Sequence, residues 1–194
     1  MVTLPPVMRR LAGFGLLVVV TGCSGATPAA GPGTLPPVAA AVAPPTSVPV
    51  SPSVEPVEKP ALADEATEAG AEAFARYWMA VRNEAYVTLD PTRLQAISRR
   101  GCATCEAYVE SLSQARSEGR TYRGGQSAVL SAVASPGLLK GKALVLVNYD
   151  LDDLVVSGPA GPAERTVAGG RNLSLRFDLL WRAGQWTALQ VSPT

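Results

Sequence analysis

The chain has 194 residues, of which 17 are Lys or Arg and 16 are Asp or Glu, so its formal net charge at pH 7 is +1. It contains no histidine, which excludes histidine-based acid-base catalysis, Ser-His-Asp and Cys-His nucleophile systems, and the commonest zinc ligand. No segment is basic enough to neutralise several phosphates, so the composition argues against a nucleic-acid partner.

The first 22 residues have the layout of an export signal. Arg9 and Arg10 precede a run of apolar residues from 11 to 20, and small residues lead from there to Cys23. About ten apolar residues rise only ~15 Å in a helix, half the thickness of a bilayer core, so this run is too short to span a membrane. Residues 1–22 are therefore predicted to be a signal peptide, whether translation starts at Met1 or at Met8.

The end of this signal, Val20-Thr21-Gly22-Cys23, resembles a bacterial lipobox. The resemblance implies that Cys23 carries a thioether-linked diacylglycerol and becomes the N-terminus of the mature protein. The expected location is the extracytoplasmic face of the cell membrane, with membrane lipid as the partner of acylated Cys23. Two acyl chains hold a protein at a membrane far more firmly than one. An ordinary secretory signal is the alternative, and Gly22-Cys23 would be a poor cleavage site for it.

A segment poor in charge follows the signal. Residues 23–63 are dominated by Pro, Ala, Val, Thr, Ser and Gly. Proline removes backbone donors and favours extended polyproline II conformation, so the segment cannot build a core of its own. We predict a disordered tether here, and a single domain over residues 64–194, because about 130 residues suit one hydrophobic core.

Three helices are predicted at the start of that domain. Asp64 is expected to cap a long helix that ends near Tyr86, since apolar residues recur between them at steps of three and four. Asp90-Pro91 is expected to begin a short helix that ends at Gly101. A third helix is predicted over residues 104–118.

After Gly119 the apolar period changes from 3.6 to 2. Strands are predicted within residues 122–135, 140–157 and 171–182, and the last of these turns through Arg182-Ala183-Gly184-Gln185 into a final strand. Helices followed by antiparallel strands predict an α+β fold, in which the N-terminal helices pack on one face of a curved antiparallel sheet.

Cys102 and Cys105 form a Cys-Ala-Thr-Cys pair. In an exported chain a close pair is more often oxidised than free or metal-bound, so a disulfide is the favoured interpretation. A redox-active pair is the alternative, although that motif is expected after a buried strand in a βαβ pattern, and the sequence has no such pattern. Two thiolates cannot complete a four-ligand zinc site without further ligands.

Two other groups of side chains are candidates for sites. Phe74, Tyr77 and Trp78 lie on the apolar face of the first helix; they are expected to pack in the core, with the lining of a hydrophobic pocket as the alternative. The acidic run Tyr149–Asp153 suggests calcium, but calcium loops need six to eight oxygens from a glycine-bearing turn, so a solvated strand edge is favoured. No catalytic residue, metal site or cofactor is predicted.

The sequence is similar to a family of actinobacterial lipoproteins catalogued as domain of unknown function 6318. The residues that carry the resemblance are Phe74-Ala75-Arg76-Tyr77-Trp78, Asn83-Glu84-Ala85, Leu94, Ser98 and Cys102-Ala103-Thr104-Cys105. The order of elements, ending in a hairpin with Trp186, resembles the cone-shaped fold of the nuclear-transport-factor-2-like superfamily. The resemblance covers roughly residues 62–192 and implies no activity, because the family has none assigned.

Some members of that superfamily are enzymes, including ketosteroid isomerase, which uses an Asp base and donors to an oxyanion. The equivalent types of residue in this chain lie in no recognisable motif, so no enzyme is predicted. We expect an interaction or scaffold module whose sheet docks an envelope protein. The alternative is a binding module that holds a small apolar or wall-derived ligand inside the cone. A large cavity lined by Tyr and Trp would favour the alternative, and a filled core with an exposed apolar sheet face would favour the interaction module.

Overall fold

A computed structural model describes residues 55–137, 140–159, 161 and 163–194. The predicted signal peptide, the lipidation site Cys23 and most of the predicted tether lie outside the described residues. No helix in the described ranges is long and apolar enough to cross a membrane.

A 3₁₀ helix and three α-helices open the described chain. The 3₁₀ helix covers Ala61–Asp64, and α1, α2 and α3 cover Glu68–Thr88, Thr92–Ala96 and Ala103–Ser117.

Seven strands follow in the described ranges, and they pair only in antiparallel fashion within two sheets. The strands are β1 Thr121–Gly124, β2 Ser127–Ala134, β3 Lys142–Leu151, β4 Leu154–Ser157, β5 Ala163–Val167, β6 Gly170–Arg182 and β7 Gln185–Pro193. The four-stranded sheet has the order β2-β3-β6-β7, and the three-stranded sheet has the order β1-β4-β5. The predicted α+β fold, with helices first and antiparallel strands afterwards, is confirmed.

The β6–β7 hairpin has the turn that the sequence predicts. Arg182 pairs with Gln185 across a two-residue loop. The two loop residues, Ala183 and Gly184, have φ angles of 53° and 81°. Positive φ at both central positions makes a turn whose twist matches the twist of the flanking strands.

The core lies between α1 and the inner face of the four-stranded sheet. Phe74 and Trp78 of α1 are buried there with Phe177 of β6. The rings of Trp78 and Phe177 meet edge-to-face with their centroids 5.3 Å apart, an arrangement that aromatic quadrupoles favour. In the middle of β6 the buried residues Leu175, Phe177 and Leu179 alternate with exposed or half-buried ones, as the period of two predicts.

The prediction that Asp64 caps α1 is wrong. Thr67 is the cap, and its hydroxyl oxygen Oγ1 accepts a hydrogen bond from the Gly70 amide at 3.0 Å. Before this point the chain makes the 3₁₀ turn, which buries Ala63. Directly after this turn, the carbonyl of Glu65 accepts a hydrogen bond from the indole N–H of Trp186 at 2.8 Å. A contact with the last strand therefore delays the start of the helix.

The packed part of the chain begins before residue 64. The amide of Val57 donates to Glu84 Oε2 at 2.9 Å, and its carbonyl accepts from an Nη2 hydrogen of Arg93 at 2.5 Å. Glu84 and Arg93 also form an ion pair with each other. This clamp extends the folded region at least seven residues beyond the boundary that the Pro-rich composition suggested.

The short helix α2 ends at Ala96 rather than near Gly101. After it the chain runs parallel to β7 for a few residues: Ala188 N donates to the Ile97 carbonyl at 3.1 Å, and Arg99 N donates to the Ala188 carbonyl at 2.8 Å. These bonds need an extended backbone, so the helix cannot continue to Gly101.

Candidate functional site

Several of the residues that carry the family resemblance hold the fold together. The indole N–H of Trp78 donates to Ser98 Oγ at 2.9 Å, which fixes the loop after α2 to α1. Leu94 is fully buried beneath that loop. Glu84 belongs to the clamp on Val57, and the side chain of Asn83 bonds the backbone of β2. Each of these groups has a structural role that accounts for it without chemistry on a substrate.

The predicted pocket-lining residues lie in this filled core. Trp78 and Phe74 are buried among apolar side chains of α1 and the sheet, and Tyr77 is 8% exposed. The hydroxyl of Tyr77 accepts a hydrogen bond from Arg93 Nη2 at 3.2 Å. Because all three side chains are packed against protein, the structure places them as core residues.

A buried arginine lies at one end of the core and was not singled out from the sequence. Arg82 is 4% exposed, and its Nη1 donates to Ser127 Oγ at 2.9 Å and to the Gly125 carbonyl at 3.1 Å. Its guanidinium carbon lies 4.2 Å from the ring centroid of Tyr86 and 5.1 Å from that of Tyr108. Among the described residues no carboxylate pairs with it, so neutral acceptors and aromatic faces stabilise the buried cation.

Two tyrosines of this region have shifted pKa values. Burial raises the pKa of Tyr86, and the positive charge of Arg82 opposes this effect only in part. Burial also raises the pKa of Tyr149, with a further contribution from Tyr108. Both phenols are therefore neutral at physiological pH and cannot serve as bases. The cluster formed by Arg82 and its aromatic neighbours therefore has a structural role at this end of the core.

The two cysteines form a disulfide, with their sulfur atoms 2.04 Å apart. Cys102 caps α3, and its sulfur accepts a hydrogen bond from the Cys105 amide at 3.3 Å. Both residues are buried. The pair opens a helix, as redox motifs do, but it follows the loop after α2 and not a strand. The bridge fixes the turn that joins this loop to α3.

The acidic run holds the end of β3 and the turn after it to the start of β6 and the residue before it. Asp150 Oδ1 accepts a hydrogen bond from the Asn172 amide at 2.8 Å, and Asp153 Oδ1 accepts one from the Gly169 amide at 2.7 Å. Asp152 and Asp153 lie in the turn between β3 and β4 and not on a strand. Within the described residues, no group of three or more His, Cys, Asp or Glu could hold a metal ion.

A groove runs between α2 and α3, beside the disulfide. It has a volume of about 660 Å³, within the ~300–1,000 Å³ typical of small-molecule sites. Its lining comes from α2, the loop that follows it and the first two turns of α3: Thr92, Gln95, Ala96, Ser98, Arg99, Arg100, Cys105, Glu106, Val109 and Glu110. No sequence motif predicts the groove, because its lining comes from two helices and the loop between them, which form it only when the chain is folded.

The outer face of the four-stranded sheet carries exposed apolar side chains. Val133 of β2 is 58% exposed, and its partner in the register of β3, Leu146, is 38% exposed. Leu130, at the bulge in β2, is 55% exposed. Arg176 of β6 pairs with Leu146 on the other side. We call Leu130, Val133 and Leu146 the outer apolar patch.

Comparisons with known proteins give the family and the fold. The intermembrane space region of the chloroplast protein ARC6 has a TM-score of 0.51 at 14% identity, over 66% of this chain and 95% of that structure. A variant of the protein Rd1NTF2_05 has a TM-score of 0.36 at 9% identity, over 62% and 96% respectively. No curated protein matches the chain. The model of the family of unknown function DUF6318 matches residues 39–192. This match spans well over half of the sequence, and the chain therefore belongs to the DUF6318 family.

Proposed function

We propose that this protein is a lipid-anchored module of an actinobacterial cell envelope, which docks another envelope protein and catalyses no reaction. The anchor is supported by the sequence from Arg9 to Cys23, where a charged start, a short apolar run and a lipobox-like end occur in order. The Pro-rich segment that follows suits a tether between membrane and domain. The absence of histidine and the structural use of the buried polar groups argue against catalysis.

The observation that carries the docking role is the outer apolar patch above a filled core. On the inner side of the sheet, Phe74, Trp78 and Phe177 are at most 2% exposed and pack into the core, which leaves none of the three facing an open pocket. Outside it, Val133 and Leu146 stand side by side on a strand pair with more than a third of their surface exposed. Adjacent exposed apolar residues are typical of surfaces that bind protein partners. A ligand held inside the cone is less well supported for the same reason.

The anchor can be tested with Cys23→Ala. We expect the Cys23→Ala precursor to stay uncleaved and to carry no lipid, and mass spectrometry of the N-terminal peptide would detect both changes. The wild-type protein and a Ser24→Ala control should stay in the membrane fraction. If Cys23→Ala were processed and held in membranes like the wild type, the lipoprotein assignment would be refuted.

The docking surface can be tested by placing a photo-cross-linking residue at position 133 in living cells. A matched probe at Arg123, which is exposed on β1 in the other sheet, serves as the control. We expect one discrete adduct from position 133 only, and we expect Leu146→Asp to abolish it. Equal adducts from both positions, or an adduct unaffected by Leu146→Asp, would refute docking through the outer apolar patch.

A further inference from the structure

The two elements that line the groove between α2 and α3 carry opposite charges. Arg99 and Arg100 come from the loop after α2, and Glu106 and Glu110 come from successive turns of α3. The lining also includes Val109, and its surface is partly apolar. The groove lies beside the N-terminus of α3 and is a separate surface from the outer apolar patch.

The two arginines are available to a ligand. Both are exposed, and within the described residues neither side chain forms an ion pair or a hydrogen bond. On the opposite side, Glu110 is likewise without such a partner, and Glu106 accepts only the Gly101 amide at 2.7 Å. The arginines and glutamates line one groove but do not neutralise each other. Each side therefore keeps its charge for a molecule that enters between them.

The loop that carries the arginines is held in place from several directions. Arg99 N bonds to the Ala188 carbonyl of β7, Ser98 Oγ accepts from the indole of Trp78, and the disulfide fixes Cys102 at the end of the loop. A loop fixed before binding loses little conformational entropy when a ligand arrives, which favours affinity. The backbone that positions both guanidinium groups is thus ordered in advance.

We propose that this groove binds a short peptide with a free carboxylate and a free amino group. The carboxylate would be held by Arg99 and Arg100, since a guanidinium can donate two parallel hydrogen bonds to a carboxylate. The amino group would be held by Glu106 and Glu110, with small apolar side chains on Val109. A polyanion or a polycation would each meet one side of like charge, so the lining selects for a zwitterion.

The test uses the purified full-length chain and isothermal titration calorimetry with alanine tripeptides. Three peptides are compared: one with both termini free, one N-acetylated and one C-amidated. We expect the free peptide to bind and each blocked peptide to bind at least about tenfold more weakly, equivalent to about 1.4 kcal/mol. No binding of the free peptide at millimolar concentration, or equal binding of all three, would overturn the proposal.

Substitutions then assign the two ends of the ligand. The double variant Arg99→Gln/Arg100→Gln should lose the preference for a free carboxylate, and Glu110→Gln should weaken the preference for a free amine. Arg123→Gln on β1 removes an exposed arginine that does not line the groove, and it should change neither preference. If the double variant bound the three peptides as the wild type does, the groove would not be the site. A further tripeptide that ends in two D-alanines is compared with the all-L tripeptide. Tighter binding of the D-alanine peptide would indicate a wall-type peptide as the ligand, and tighter binding of the all-L peptide would indicate a protein fragment.

Discussion

Asn83 of α1 pairs with Ser127 of β2 in the way that a neighbouring strand would. The Ser127 amide donates to Asn83 Oδ1 at 2.9 Å, and Asn83 Nδ2 donates to the Ser127 carbonyl at 2.8 Å. At the other end of β2, the Ala134 amide donates to Glu72 Oε1 at 2.8 Å. Because β2 is an edge of its sheet, these side chains occupy backbone groups that could otherwise recruit another strand.

Asn83→Ala should lower the free energy of unfolding by about 1–3 kcal/mol, because it leaves a partly buried donor and acceptor without partners. Urea denaturation monitored by tryptophan fluorescence would measure the loss. The control is Arg76→Ala, at an exposed position on the same helix, for which a change within about 0.5 kcal/mol is expected. Equal effects of the two substitutions would contradict the role of Asn83 as a strand substitute.

Arg93→Met should release the segment before α1. The substitution removes the bonds from Arg93 to Glu84 and to the Val57 carbonyl, so the Val57 amide should exchange with deuterium markedly faster. The loss of global stability should be about 1 kcal/mol or less, since the ion pair is partly exposed to solvent. Arg116→Met, on the exposed side of α3, is the control. Unchanged exchange at Val57 would show that the clamp does not hold the segment.

The domain should lose stability in alkali through Tyr86. Burial raises the pKa of this phenol above its ordinary value of 10.0 in the folded state. Its stabilising contribution is therefore complete below pH 10 and falls as the pH rises through the folded pKa, because the unfolded chain gives up the proton more readily. Urea midpoints on either side of pH 10 should show this decline, and Tyr86→Phe should reduce its slope.

The same substitution at Tyr122, whose ring lies 5.8 Å from that of Tyr86, controls for the loss of a hydroxyl group from this cluster. If Tyr86→Phe left the alkaline decline as steep as in the wild type, another group would be responsible for it.

Removal of the disulfide with Cys102→Ser/Cys105→Ser should cost about 2 kcal/mol or less, since the bridge closes a very short loop. Thermal unfolding of the variant against the oxidised wild type would measure the difference. Both sulfurs are buried, so the wild-type chain should show no exchange with a dithiol reporter. An exchange activity that disappeared in Cys102→Ser would instead assign a redox role to the pair.

The sequence predicted those features that depend on neighbouring residues. The change in the spacing of apolar residues after Gly119 correctly predicted helices before that residue and strands after it. The small residues at the β6–β7 turn predicted a hairpin. The aromatic residues of α1 were expected in the core by their spacing, and the structure packs them there. Each of these signals is local, because a periodic face or a tight turn is visible within a few residues.

The features that the sequence missed depend on distant partners. Helix α1 begins later than predicted because Trp186, 121 residues further along the chain, donates a hydrogen bond to the Glu65 carbonyl. Helix α2 ends earlier than predicted because Ala188 forms hydrogen bonds with the backbone on both sides of Ser98. The groove between α2 and α3 and the buried site of Arg82 arise from packing between elements, and no pattern along the chain encodes them.

The bond between Trp186 and Glu65 also bears on how the domain forms. It joins a turn made early to a hairpin made more than a hundred residues later, and the contacts of Asn83 and Glu72 with β2 likewise wait for later residues. Pairings so far apart in sequence slow folding. Until this hairpin has left the ribosome, Trp78 of α1 lacks its ring contact with Phe177, and the Glu65 carbonyl lacks its bond from Trp186. The domain should therefore become stable in a single late step, and a chain truncated before Trp186 should be a substrate for chaperones and proteases.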